Sequence, residues 1–184
     1  MSTLARHGVA LGATLTILFS TAGAGTRQIQ LGGFVVEQEV TVAVSPVVAY
    51  DHFTGDILPW WDHHFSENPV RLWIEPFPGG RFYELFTHAG DGVLHATVLV
   101  ADRGKQLRLD GPLGFSGNAI HLVHTLDFEP AGDHSTRIKL SVHGAGEVED
   151  GWPEAIDEVW RHFLVEQFKP YVEARTDKTI SRRN

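Results

Sequence analysis

The amino-acid sequence predicts an α+β domain in which a seven-stranded curved antiparallel sheet wraps a long C-terminal helix. Three observations carry that expectation. An early run over 34–44 alternates between apolar and polar residues. A series of short apolar runs from Val70 to His143 is punctuated by Gly-, Pro- and Asp-containing turns, and the last long segment carries one apolar stripe at three- and four-residue spacing. A length of 184 residues suits one domain, and 19 Gly with 9 Pro fit a chain rich in strands and turns.

Residues 1–24 stand apart from the fold. Arg6 and His7 close a short polar start, Gly8 to Phe19 form an uncharged apolar run, and Ala22-Gly23-Ala24 puts small residues where a signal peptidase reads. This layout predicts a signal peptide over 1–24 and export to the periplasm or the exterior. An uncleaved N-terminal membrane anchor is the alternative, weakened because the run is short beside the roughly 20 residues that a span needs. No stable membrane insertion is expected after cleavage.

In the first strand Val36, Val40, Val42 and Val44 share one parity while Glu37, Glu39 and Thr41 take the other, so one face is dry. Ser45-Pro46 then starts a short helix, with serine able to cap free amides and proline tolerated at the first helical position. Val47, Tyr50 and Phe53 supply its apolar stripe. A second short helix or turn is expected over 56–65, where Trp60, Trp61, Asp62, His63 and His64 cluster. Candidate strands follow at 70–75, 81–87, 93–101, 106–110, 119–129 and 136–143, joined by hairpin-type turns into a meander. The final helix starts at Asp150-Gly151-Trp152-Pro153. Its stripe is Ile156, Val159, Trp160, Phe163, Gln167, Phe168 and Tyr171, and a polar tail over 175–184 is expected to fray. Only the sheet's dry face is large enough to bury that stripe.

Composition narrows the partners. Against 23 Asp and Glu stand 15 Lys and Arg, a formal charge of −8 that repels phosphate backbones, so no nucleic acid is expected. With no cysteine there can be no disulfide, thiolate zinc site or Cys nucleophile.

The order strand, two short helices, six strands, long helix resembles the START-like, or SRPBCC, superfamily with its helix-grip fold. More narrowly the chain is similar to the AHSA-like branch, named after the activator of the heat-shock-protein-ninety ATPase, and to its polyketide-cyclase-like relatives. The matching stretches are Ser45-Pro46, the Trp60-Trp61 pair, Glu75-Pro76-Phe77-Pro78-Gly79-Gly80-Arg81-Phe82, Val159 to Leu164, and Lys169-Pro170-Tyr171-Val172-Glu173. Together they cover residues 34–174. The resemblance implies a cavity between sheet and long helix, in a superfamily that includes lipid and hormone carriers, cyclases and co-chaperones. A cytosolic co-chaperone role fits an exported chain badly, and one fold hosts many activities.

Strand parity nominates the polar groups that look inward. Glu84 falls between Phe82 and Phe86, and His124 among Leu122, Leu126 and Phe128. A buried carboxyl beside an imidazole could form an acid–base pair, although a bulge would reverse the parity. His63 and His64 are adjacent on the chain, point apart on a helix, and lack a His-Glu-x-x-His pattern, so a histidine-rich rim is expected and no metal site. No nucleophile elbow, phosphate loop or dinucleotide fingerprint occurs, and no cofactor is expected.

The residues therefore point to a binder of a small hydrophobic molecule. Trp60, Trp61, Phe82, Glu84, Phe86, Leu122, His124, Leu126, Trp160 and Phe163 are the expected ligand contacts. Two alternatives stand beside it: a cyclase- or dehydratase-type enzyme using Glu84 or His124, and a protein-interaction module docking through the helix and the Trp-rich loop.

Overall fold

The computed structural model describes residues 29–181. Strand β1 (Leu31–Val42) leads into helix α1 (Pro46–Phe53), followed by β2 (Gly55–Asp56), β3 (Arg71–Ile74), β4 (Arg81–Leu85), β5 (Gly92–Asp102), β6 (Gln106–Asp110), β7 (Ile120–Gly132) and β8 (Ser135–Glu147). A 3-10 turn, Leu113–Phe115, sits between β6 and β7. One continuous helix ends the described chain. It comprises α2 (Trp152–Arg161), a π-helical segment (His162–Phe168) and α3 (Lys169–Ser181).

The strands form one antiparallel sheet in which β2 to β8 run as a meander and β1 joins beside β8. Eight strands are present where seven are expected, because the two residues of β2 pair with Trp73 and Ile74. The parity of β1 holds: Val36, Val40, Val42 and Val44 are buried and Glu37, Glu39 and Thr41 are not. Bulges at Phe82/Tyr83, Val98/Val100 and Pro130/Gly132 bend the strands and increase their twist.

Of two local expectations one fails, and the other, a short helix or turn over 56–65, is met by the turn. Ser45 occupies the cap position of α1 without a side-chain cap bond; its carbonyl accepts the Ala49 amide at 2.9 Å instead. No helix follows β2. The amides of Trp60 and Trp61 turn back to the Ile57 carbonyl, at 3.1 and 3.0 Å, and the amides of Phe65 and Ser66 are taken by Glu84. The amide of Ile57 goes to the Leu72 carbonyl and that of Leu58 to Asp56, so the segment makes a single turn and then a loop fastened at its far end by Glu84.

The C-terminal helix lies along β1. Gln38 hydrogen-bonds Asp157 of α2, and the Ala43 amide donates to Glu173 of α3 at 2.9 Å. Its buried face comprises Ile156, Trp160, Phe163, Leu164, Phe168 and Val172, which changes phase halfway along. Phe163 and Phe168 are five residues apart, a spacing that diverges on an α-helix and converges on a π turn. The Lys169 amide bonds to the Leu164 carbonyl, five residues back. Pro170 supplies a reason for the shift: it has no N–H to donate and crowds the carbonyl four residues earlier, so the ladder must be rerouted there. The rerouting turns Gln167 away from the expected stripe and brings Val172 inside. Past it, the helix meets no Gly or Pro and runs to Ser181, beyond the frayed tail expected after Arg175.

Phe168 is fully buried, with ring centroids 5.0 Å from both Phe53 and Trp60. Phe168→Ala should cost about 3–5 kcal/mol of unfolding free energy. Urea denaturation checks this, and a loss under 1 kcal/mol would mean that the helix is not anchored there.

Candidate functional site

Between α2 and the inner faces of β5 and β7 lies a partly open cavity of about 370 Å³. One wall is helical: Ala155, Ile156, Val159, Trp160 and Phe163. His95 of β5 and Leu122 and His124 of β7 form the sheet side, and the Leu113–Phe115 turn and the Trp61–Phe65 loop complete the rim. Trp61 stacks on Phe163 at 3.8 Å and 20°, and its indole N–H donates to the His63 carbonyl at 2.9 Å. Across the opening Phe115 packs on Trp152 at 4.6 Å. Leu113 holds that turn at φ 48°, a conformation that bulky residues rarely adopt.

Three buried ionisable side chains sit on the inner face of the sheet. Glu84 of β4 has no exposed surface, and its two oxygens accept the amides of Phe65 (2.9 Å) and Ser66 (2.8 Å). His95 Nε2 lies 3.4 Å from Glu84 Oε2, close enough to pair but without hydrogen-bond alignment. Burial pushes the His95 imidazole below its ordinary value, and the Glu84 charge opposes this in part. His124 is buried, which pushes its imidazole down to about 4. Its Nε2 sits 3.3 Å from the Gly111 carbonyl while Nδ1 has no partner. Gly111 must be glycine for that carbonyl to approach, since a Cβ there would stand 2.4 Å from the His95 carbonyl oxygen and 2.5 Å from Ala96 Cα.

A second cluster ties the rim to the helix. Asp62 accepts from His63 Nδ1 at 2.8 Å, from His162 Nε2 at 2.8 Å and from Gln167 at 2.9 Å. His162 Nδ1 faces Glu166 at 3.0 Å. Carboxylates on both sides of one ring require both nitrogens to carry hydrogen, and His162 is accordingly raised above 6.5, by Glu166 first and then Asp62. This contribution is full below pH 6.5 and fades as pH rises through the raised value. The donor atoms of Asp62, His63 and His162 lie within 4.8 Å of one another, a spacing that could also hold one metal ion. As it stands, each donor is engaged by a protein partner.

Comparison with known proteins returns fold relatives only. No family model matches the chain, and no curated protein matches its sequence. Among solved structures, a protein from Chromobacterium violaceum aligns with TM-score 0.55 at 17% identity, covering 76% of this chain and 96% of the other. The norcoclaurine synthase of Thalictrum flavum gives 0.54 at 12%, covering 88% and 98%. The Aha1 protein of Colwellia psychrerythraea, described as a dimer in solution, gives 0.52 at 15%, covering 76% and 96%. The fold is a helix-grip-like α+β fold, shared with these solved structures.

Within that helix-grip frame, Trp61, Leu122, His124, Trp160 and Phe163, five of the ten expected contacts, line the cavity. The other five expected contacts lie elsewhere. Trp60 faces Phe53 and Phe168 in the core, with its N–H on the His52 carbonyl. Phe82 is covered by Trp61 and His95, and Leu126 is sealed within the sheet–helix core. Phe86 lies past the end of β4, where its amide closes the turn onto Asp91. Glu84 points inward as parity requires but is occupied by the loop amides. The histidine-rich rim is present: His63 and His64 both line the opening.

His95 is the polar residue that alternation misses. In the β4–β5 register Phe82 pairs with Ala96 and Tyr83 with Leu94, so His95 is the extra residue of a bulge and shares the inner face with Ala96. Leu113 and Phe115 left a usable sign, two large apolar residues in a Gly- and Pro-rich connection.

Because native His124 refuses a proton that the unfolded chain accepts near 6.5, stability should fall as pH drops from about 6.5 towards 4, by up to about 3 kcal/mol. Above that window His124 contributes no slope. Urea unfolding of wild type and His124→Gln between pH 7 and 4.5 tests this, with a shallower acid limb expected for the variant; identical limbs would show that His124 titrates normally. Glu84→Gln should leave one of the two loop amides without an acceptor and cost about 1–3 kcal/mol. Hydrogen exchange at Phe65 and Ser66 should quicken selectively, and unchanged protection there would rule out the tether.

Proposed function

We propose that this protein binds a small apolar or amphipathic molecule, outside the cytoplasm, in the cavity between sheet and C-terminal helix. The observation that carries the reading is the cavity itself. Its volume falls within the roughly 300–1,000 Å³ of small-molecule sites, its wall is dominated by Trp61, Trp160, Phe163, Leu122 and Ile156, and its polar groups are few. The norcoclaurine synthase of the same fold has been solved with a transition-state analogue, so the frame accommodates a small guest in at least that protein. Binding is favoured over a Glu84-based cyclase or dehydratase because both Glu84 oxygens are engaged in holding the loop. The uncharged run ending in Ala22-Gly23-Ala24 lies outside the described residues and supports export; among the described residues no helix is long and apolar enough to cross a membrane. N-terminal sequencing of the protein recovered from its host should begin at Gly25.

Native mass spectrometry of that same material should show a retained lipophilic mass. In vitro, the neutral dye N-phenyl-1-naphthylamine should bind and quench Trp61 and Trp160. Ala155→Trp at the rim should weaken the dye on the order of tenfold while leaving the melting temperature near that of wild type. Undiminished affinity in a folded Ala155→Trp protein would move the site away from this cavity.

A further inference from the structure

We propose that the cavity selects a neutral ligand bearing a hydrogen-bond donor, an alcohol or phenol, which gives its hydrogen to Nδ1 of His124. The inference rests on the cavity reading above and adds what the ligand's polar end must be.

His124 is 1% exposed, lines the cavity, and leaves Nδ1 without any partner. Buried polar atoms are rarely left so, since each costs about 1–3 kcal/mol. The direction of the missing bond follows from the other nitrogen. Nε2 faces the Gly111 carbonyl at 3.3 Å, and a carbonyl oxygen can only accept. The hydrogen of the neutral ring therefore resides on Nε2, and Nδ1 is a bare acceptor. That carbonyl cannot drift, because Gly111 is pressed against the β5 backbone at His95 and Ala96. Burial keeps the ring unprotonated at neutral pH, so the acceptor persists there.

The surroundings disfavour an acid as the guest. None of the lining residues is Lys or Arg. The rim imidazole of His162 is already held between Asp62 and Glu166. Glu84 places a buried carboxylate 3.4 Å from His95, the other lining imidazole. A ligand carboxylate would enter low-dielectric space near a like charge and without a counter-ion, which is strongly unfavourable. A hydroxyl meets none of these costs and satisfies the orphaned nitrogen. His95, the second buried imidazole in the lining, has no hydrogen bond at Nε2, which lies 3.4 Å from Glu84 Oε2.

The test compares three probes of one shape, 2-naphthol, naphthalene and 2-naphthoate, displacing N-phenyl-1-naphthylamine from the full chain at pH 7.5. Naphthol should bind about tenfold or more tightly than the other two. In His124→Phe, naphthol should fall to the affinity of naphthalene, which itself should hardly change. Should that variant not fold, the ¹⁵N resonance of His124 Nδ1 in the wild-type protein supplies the readout, moving on addition of naphthol and not of naphthalene. Equal binding of naphthol and naphthalene, with no movement of that resonance, overturns the inference while leaving the cavity reading intact. Tightest binding of naphthoate overturns the neutral-ligand part. Failure of the dye and of all three probes to bind sinks the cavity reading itself.

Discussion

Glu84 is a carboxylate with no exposed surface, and the rim of the cavity takes its shape from the way that charge is satisfied. Leaving it unpaired inside the fold would cost several kcal/mol, so two amides of an otherwise irregular loop are drawn down onto β4. Once Phe65 and Ser66 are fixed there, Trp61 is carried over Phe163 and Asp62 reaches His162. The loop is thereby fastened at one end to the sheet and at the other to the helix. Trp61, His63, His64 and Phe65 become wall instead of surface as a consequence.

The helix meets this rim at its least regular point. His162, Phe163, Glu166 and Gln167 all lie in the π-helical segment, and π turns often mark functional sites. The wider turn lets Phe163 face Trp61 while Phe168, five residues on, still fills the core beside Phe53. A regular helix would direct one of these two rings away from the protein. Pro170 makes the rerouting necessary, so one residue outside the cavity governs which side chains look into it.

Polarity is graded from the mouth inward. At the rim two carboxylates favour the charged form of His162, which is in partial contact with water. Deeper in, His95 and His124 are pushed towards the neutral form by burial, with acceptor or donor capacity left over. One residue type thus serves as a fastening at the entrance and as an uncharged hydrogen-bonding group within. The difference lies in solvation and partners, since the ring itself is the same.

Repeating patterns were legible from the chain alone. The alternation of β1, the meander with its turns, the apolar stripe of the last helix and the inward direction of Glu84 and His124 are local or nearest-neighbour properties, which periodicity encodes directly. The cavity-facing positions of Leu122, His124 and Trp160 could be read the same way, because they sit on elements whose phase is regular where they occur, whereas Trp61 lies in an irregular loop and Phe163 in the π-helical segment. Tertiary structure decided the rest. His95 turns inward only because a bulge inserts it opposite β4, and Gln167 leaves the stripe only because the helix widens ahead of Pro170. Segment 56–65 makes one turn at Ile57 and then runs as a loop whose end is fixed by Glu84, some twenty residues away. Trp60 and Trp61 are neighbours of equal composition, yet one is core and the other wall. Each of these outcomes depends on a partner distant in sequence, and no count of residues along the chain contains that partner until the sheet and helix have closed on each other.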